Sequence, residues 1–374
     1  MYNVRLPKPA IAMLSILALA AAGSTILLVS NSGPTGAGPS SGQNHPARET
    51  GSNASRPLLP WAPVEQADGK LDELEEKPPA NSYLAMAGIM EDFSADQIEP
   101  YLHREHRSAE SLVAAAKLTR DVEYLREAVR RFPENPRGHF ALAMSGTPDE
   151  RMDAIQAFRN LEPDNSAGDY LLALELFRTG DRQGAIDVLL AADGKTRFMD
   201  YGSELAVAME DALLGSGFTP LQACAFAYYH PKNDFQTILL RLGGEISDLQ
   251  AELHESGKES EIAALAWSGL DMLRHARCSA PRSMINEATD SAVTKVLLKH
   301  LPPDMLTPDN KTVAEIRAEA DALTEEIFAL ADFASNTLDD LGEEDALRYY
   351  RSIQRLGEME ALRAFAEEKR NQPR

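Results

Sequence analysis

The chain has 374 residues, of which 44% are hydrophobic and only 6% aromatic. That is enough apolar material for a sizeable core, and its Ala- and Leu-rich character favours close-packed helices over a buried sheet. A formal net charge of −21 without clusters of Lys and Arg excludes a phosphate-backbone binder, so no nucleic-acid partner is expected.

Residues 1–9 carry Arg5 and Lys8, and Ala10 to Val29 hold no charged residue. At about 1.5 Å per residue this run matches the roughly 30 Å hydrocarbon core of a bilayer. The basic residues before it, with none after it until Arg48, predict a cytoplasmic N-terminus and an exported remainder. Residues 10–30 are therefore read as a single transmembrane signal-anchor. A cleaved signal peptide is the alternative, with Ala18, Ala20 and Ala22 as small-residue sites, and the product would then be secreted. Residues 31–71 are rich in Gly, Ser, Pro and Asn and read as a disordered tether. Gly38-Pro39-Ser40-Ser41-Gly42 matches the hydrolase elbow only in letters, because no strand precedes it and no helix follows.

Helical patterning begins near Asp72. Asn81-Ser82 caps a segment through Glu91. Ser94, with Gln97 at the capping-box position, opens a helix over 95–102, and Ser108 opens another through Lys117. Two turn signals then recur thirty residues apart, Phe132-Pro133-Glu134-Asn135 and Leu161-Glu162-Pro163-Asp164-Asn165. Each closes one amphipathic helix and precedes another, which predicts stacked helical hairpins.

Between Ser166 and Ala192 the residues Leu172, Ala173, Leu176, Gly180, Asp181, Ala185, Leu189 and Ala192 follow the spacing of a tetratricopeptide repeat, and Leu125, Ala128 and Pro133 match the second half of a preceding one. The stretch thus resembles a degenerate tetratricopeptide array over roughly Arg104 to Ala192. It departs from the pattern at Arg197, where a closing proline is usual, and in Ala154 to Pro163, about one turn short. The resemblance implies that the first helix of each hairpin lines a concave groove. Its groove positions here are Ala167, Tyr170, Leu174, Phe177 and Arg178, a surface suited to anchoring a peptide. The alternative is that Tyr170 and Phe177 pack on a neighbouring hairpin.

Beyond the repeat-like region 72–200, residues 201–303 read as further helical hairpins: Glu204 to Leu214 with Pro220 to Tyr229, Asp234 to Leu253 with Lys258 to Arg277, then Pro281 to His300. Residues 304–374 read as a C-terminal hairpin of two long helices. Thr312 and Glu315 form a capping box. Val313, Ile316, Ala320, Leu323, Ile327, Leu330 and Ala334 form a heptad-like seam. A single final helix is expected over Ala346 to Lys369. The predicted fold is all-α, an irregular α-solenoid of antiparallel hairpins with a C-terminal long-helix hairpin, preceded by one transmembrane helix.

No phosphate loop, dinucleotide-binding glycine pattern, zinc spacing or ordered Ser, His and Asp set occurs, so no catalytic residue, metal ligand or cofactor is expected. His103 and His106 lack metalloprotease spacing. In an oxidising compartment Cys224 and Cys278 either form a disulfide or remain two buried thiols. Glu315 to Asp345 holds eleven acidic residues against Arg317 alone, a solvated face or a docking face for a basic partner. The expected function is a membrane-anchored scaffold or adaptor that binds other proteins on the exported side and has no catalytic activity. The alternative is a helical ligand-binding or enzymatic domain with a pocket in 201–303, where Trp267, Tyr228, Tyr229 and His230 are the first residues to examine.

Overall fold

The computed structural model describes residues 93–229, 234–278, 282–338 and 341–371. The expected anchor over 10–30, the tether over 31–71 and the helix capped by Asn81-Ser82 lie outside the described residues. Among the described residues there are fifteen α-helices and no named strand, and no helix is long and apolar enough to cross a membrane. The all-α expectation is met.

Helix α1 (Ala95–Arg104) starts as its cap predicts: the Ser94 backbone N–H donates to Gln97 Oε1 at 2.8 Å. In α2 (Ala109–Thr119) the Ser108 hydroxyl accepts from the Ser111 N–H. Three hairpin-like pairs follow, made of α2 with α3 (Glu123–Arg131), α4 (Pro136–Ser145) with α5 (Pro148–Leu161), and α6 (Ser166–Thr179) with α7 (Arg182–Ala192). Each of these six helices packs on the next.

The two turn signals are one device used twice. Phe132 and Glu162 close α3 and α5 with φ/ψ of −131/61 and −129/65. Asn135 and Asn165 then cap α4 and α6 at −92/115 and −89/112, each side chain accepting the N–H two residues on. Gly180, at φ +85, ends α6 in the left-handed region that favours glycine, and Asp181 caps α7 by accepting the Gly184 N–H. Where a closing proline was expected, the Arg197 carbonyl accepts the Ser166 N–H at 2.9 Å and straps the connection after α7 over the start of α6.

The chain then turns back on these hairpins. α8 (Gly202–Gly215) packs on α1 and α2 and pairs with α9 (Pro220–Tyr229). α10 (Asp234–Glu255) packs on α6, on α11 (Glu259–Arg277) and on α12 (Met284–Leu298), and α11 reaches α7. Two glycines permit the closest approaches. A Cβ on Gly243 would stand 2.7 Å from Val293 Cγ1, and one on Gly269 would stand 2.6 Å from Leu297 Cδ1.

α13 (Val313–Thr337) begins at the predicted capping box, where the Thr312 N–H donates to Glu315 Oε2 at 2.7 Å. Of its predicted seam, Val313, Ala320, Ile327 and Ala334 are buried. The expected single final helix is two, α14 (Glu343–Leu356) and α15 (Glu358–Asn371). The break sits at Gly357, φ +89. Tertiary bonds hold it open: the Glu358 N–H donates to the Arg282 carbonyl at 2.8 Å, and Glu358 Oε2 accepts the Met284 N–H at 2.7 Å. The bend seats α14 on α9 while α15 packs on α13.

Candidate functional site

The predicted groove residues do not face an open groove. Ala167, Tyr170, Leu174 and Phe177 are buried, with Tyr170 at 0% exposure. The reason is the return of the chain: α10 packs on α6, and the Tyr170 hydroxyl meets His275 Nδ1 of α11 at 2.7 Å. Arg178 stays partly exposed but is paired with Glu175, which also holds Arg151 at 2.8 Å. Tyr170 belongs to a chain of rings that continues through Phe198 and Phe235 to Phe140, with centroids 6.4, 5.0 and 6.3 Å apart.

That ring chain ends in a pocket. A cavity of about 390 Å³ lies between α2, α3, α4 and α8, with Phe235 of α10 among its lining residues. Its middle is apolar: Val113 and Ala116 of α2, Leu125 of α3, Phe140, Ala141 and Met144 of α4, and Leu205 and Ala208 of α8. Local sequence explains the walls. α2 is apolar nearly all round, and Leu112 to Ala116 are all buried, so it packs on neighbours to several sides. The small side chains of Ala116, Ala141 and Ala208 leave the space that larger residues would fill.

Charges sit toward the two ends of the pocket. At one end Arg137 bonds Glu204 at 2.6 Å and Glu110 at 3.4 Å, and its guanidinium lies 5.3 Å from the Tyr201 ring centroid. Burial works against the Arg137 charge, but Glu204 and Glu110 outweigh it and hold its pKa above the usual arginine value. Asp200 accepts the Gly202 N–H at 3.0 Å. Further along α2 come Lys117 and Arg120. Two lining residues, Arg120 at φ +58 and Tyr201 at φ +57, hold left-handed backbone without being glycine. Both stand at helix ends, Arg120 closing α2, where left-handed backbone is common, and Tyr201 preceding α8.

The residues first suspected in 201–303 lie elsewhere. Tyr228 is fully buried, its hydroxyl 3.5 Å from the Arg282 carbonyl. Trp267 is half-buried against the cluster of Ile262, Leu298 and Val313. The Tyr229 side chain and His230 are outside the described residues. The disulfide is not formed: Cys224 is a buried free thiol on α9 and Cys278 an exposed one at the end of α11. Among the described residues no group of three His, Cys, Asp or Glu side chains is placed to hold a metal ion.

Sequence reasoning missed the pocket. One wall was visible, because Arg137, Phe140, Ala141 and Met144 recur at three and four along α4. The facing wall comes from α8, and nothing local says that α8 folds back there. Compared with family models, with curated proteins and with solved structures, the chain matches none.

Proposed function

We propose that this chain is a helical-repeat adaptor, a non-catalytic binding protein held at the membrane by residues 10–30 with its helices on the exported side. In this reading α2 to α7 are three stacked hairpins of an irregular, tetratricopeptide-like solenoid, and the helices from α8 onward cap it. The observation that carries the reading is the pocket between α2, α4 and α8. α2 and α4 are the first helices of successive hairpins, which the repeat resemblance assigns to recognition. With Tyr170 and Phe177 covered, the pocket is where that face offers apolar surface and charged groups together. It would receive an apolar anchor from a partner protein, with Glu110, Arg137 and Glu204 contacting polar groups beside it.

The test is site-specific photocrosslinking of the full chain in its own membranes. A photoreactive residue at Ala141 is expected to give discrete protein adducts, and one at the exposed Asp153 of α5 is expected to give none. Adducts at both positions alike, or at neither, reject the reading.

A further inference from the structure

The pocket also constrains what fills it. We propose that it takes a medium-chain acyl carboxylate, with the hydrocarbon lying along Phe140, Met144 and Leu205 and the carboxylate at Arg120. This rests on the pocket being the recognition site of the proposed reading, and makes an acyl chain, not a partner's side chain, the apolar group it receives.

Three observations converge on that chemistry. First, between its charged ends the wall is hydrocarbon and aromatic, and the helix backbones behind it are bonded within their own helices. A peptide backbone drawn inside would find few partners for its N–H and C=O groups, whereas an alkyl chain needs none. Second, the lining along α2 runs from Glu110 to Arg120. Ten residues of helix span about 15 Å, close to an extended chain of about ten to twelve carbons. Third, the charges select an anion at one end. The lining carboxylates are already engaged, Glu110 and Glu204 by Arg137 and Asp200 by the Gly202 N–H. Arg120 is exposed and has no ion-pair partner among the described residues, and its full positive charge outweighs the partial negative charge of the α2 C-terminus at which it stands. A carboxylate arriving at that end meets a guanidinium that no other acid holds.

The test uses dodecanoic acid carrying an ω-diazirine, applied to the full chain in its own membranes and mapped by peptide mass spectrometry. Labelling is expected between Arg137 and Ser145 or on the first two turns of α8. Excess dodecanoic acid should compete it away, and its methyl ester should compete about tenfold less well. Arg120→Gln, an exposed change that leaves the fold intact, should weaken labelling by about tenfold. Ala141→Trp, which fills the cavity, should abolish it while leaving the thermal melt unchanged. Labelling scattered over the chain, competition by acid and ester alike, or indifference to Arg120→Gln overturns the proposal. Protein adducts at Ala141 without dodecanoate labelling would leave the adaptor reading standing and reject this ligand.

Discussion

The Tyr170 hydroxyl stands 2.7 Å from His275 Nδ1, joining α6 to α11 across 105 residues of chain. Both side chains are buried. Burial, opposed in part by Asp271, holds the His275 imidazole below the usual histidine pKa, which favours the uncharged ring as the hydrogen-bond partner of the phenol. Tyr170→Phe keeps the ring packing and removes this bond. It should lower stability by about 1 to 2 kcal/mol, read as a lower urea midpoint at unchanged slope. An unaltered midpoint would mean that the pair contributes nothing.

A second polar contact at the same interface makes stability pH-dependent. The Ser268 hydroxyl of α11 donates to Asp193 Oδ1, just after α7, at 3.0 Å. Burial pushes the Asp193 carboxyl up to about 6; the Ser268 hydroxyl opposes this and Asp271 adds to it. Because its folded pKa lies above the unfolded one, the folded state binds the proton more tightly. Stability from this group is therefore greatest at low pH and falls as pH rises through about 6. Asp193→Asn should stabilise the protein at pH 7.5 by about 1 to 2 kcal/mol, after allowance for partial solvent access, and by little at pH 4. His275 acts in the opposite direction, losing stability as pH falls below its unfolded value. The difference between variant and parent midpoints isolates Asp193, and a gap independent of pH would contradict the assignment.

The two cysteines should differ in reactivity. Cys224 is buried, and burial, with Glu210 nearby, pushes its thiol up to about 12. Cys278 is exposed. In the native protein a maleimide should modify Cys278 within minutes and spare Cys224, and in urea it should modify both. Two native-state adducts would show Cys224 to be accessible. None in the non-reduced protein would point back to the disulfide.

Glu210 of α8 is buried and is held by Arg351 of α14, 2.9 Å away and 141 residues on, and by Gln354 at 3.0 Å. Arg351→Ala leaves that carboxylate without its cation. The loss should be about 2 kcal/mol, between the values for exposed and fully buried pairs, because Arg351 itself is half exposed. Adding Glu210→Gln should recover part of it. A double variant no more stable than Arg351→Ala alone would show that packing, not charge, sets the loss.

Much of the local structure was legible in the chain. Ser94, Ser108 and Thr312 start helices where they stand, and Pro220 opens α9, because a cap is decided by groups within three or four residues of each other. The segments ending at Asn135 and Asn165 were legible as turns for the same reason, though not as caps. The break at Gly357 was not. Glycine is tolerated inside helices, and the bonds from Glu358 to Arg282 and Met284 that open the chain there come from about 75 residues upstream. For Tyr170 the sequence left a groove position and packing on a neighbouring hairpin both open, on similar grounds. Its spacing on α6 is that of a groove residue, but its surroundings are set by α10 and α11.

By itself, then, the sequence determined that the described part of the chain is helical, where capped helices such as α1, α2 and α13 begin, and that two turns thirty residues apart are alike. These depend on hydrogen bonds and side-chain periodicity within a turn or two. Which apolar stripe meets which was decided only by the tertiary structure, because many apolar faces are chemically interchangeable and only the full set of long-range contacts selects among them. That selection covered Tyr170 and Phe177. It left the space between Phe140, Met144 and Leu205 open.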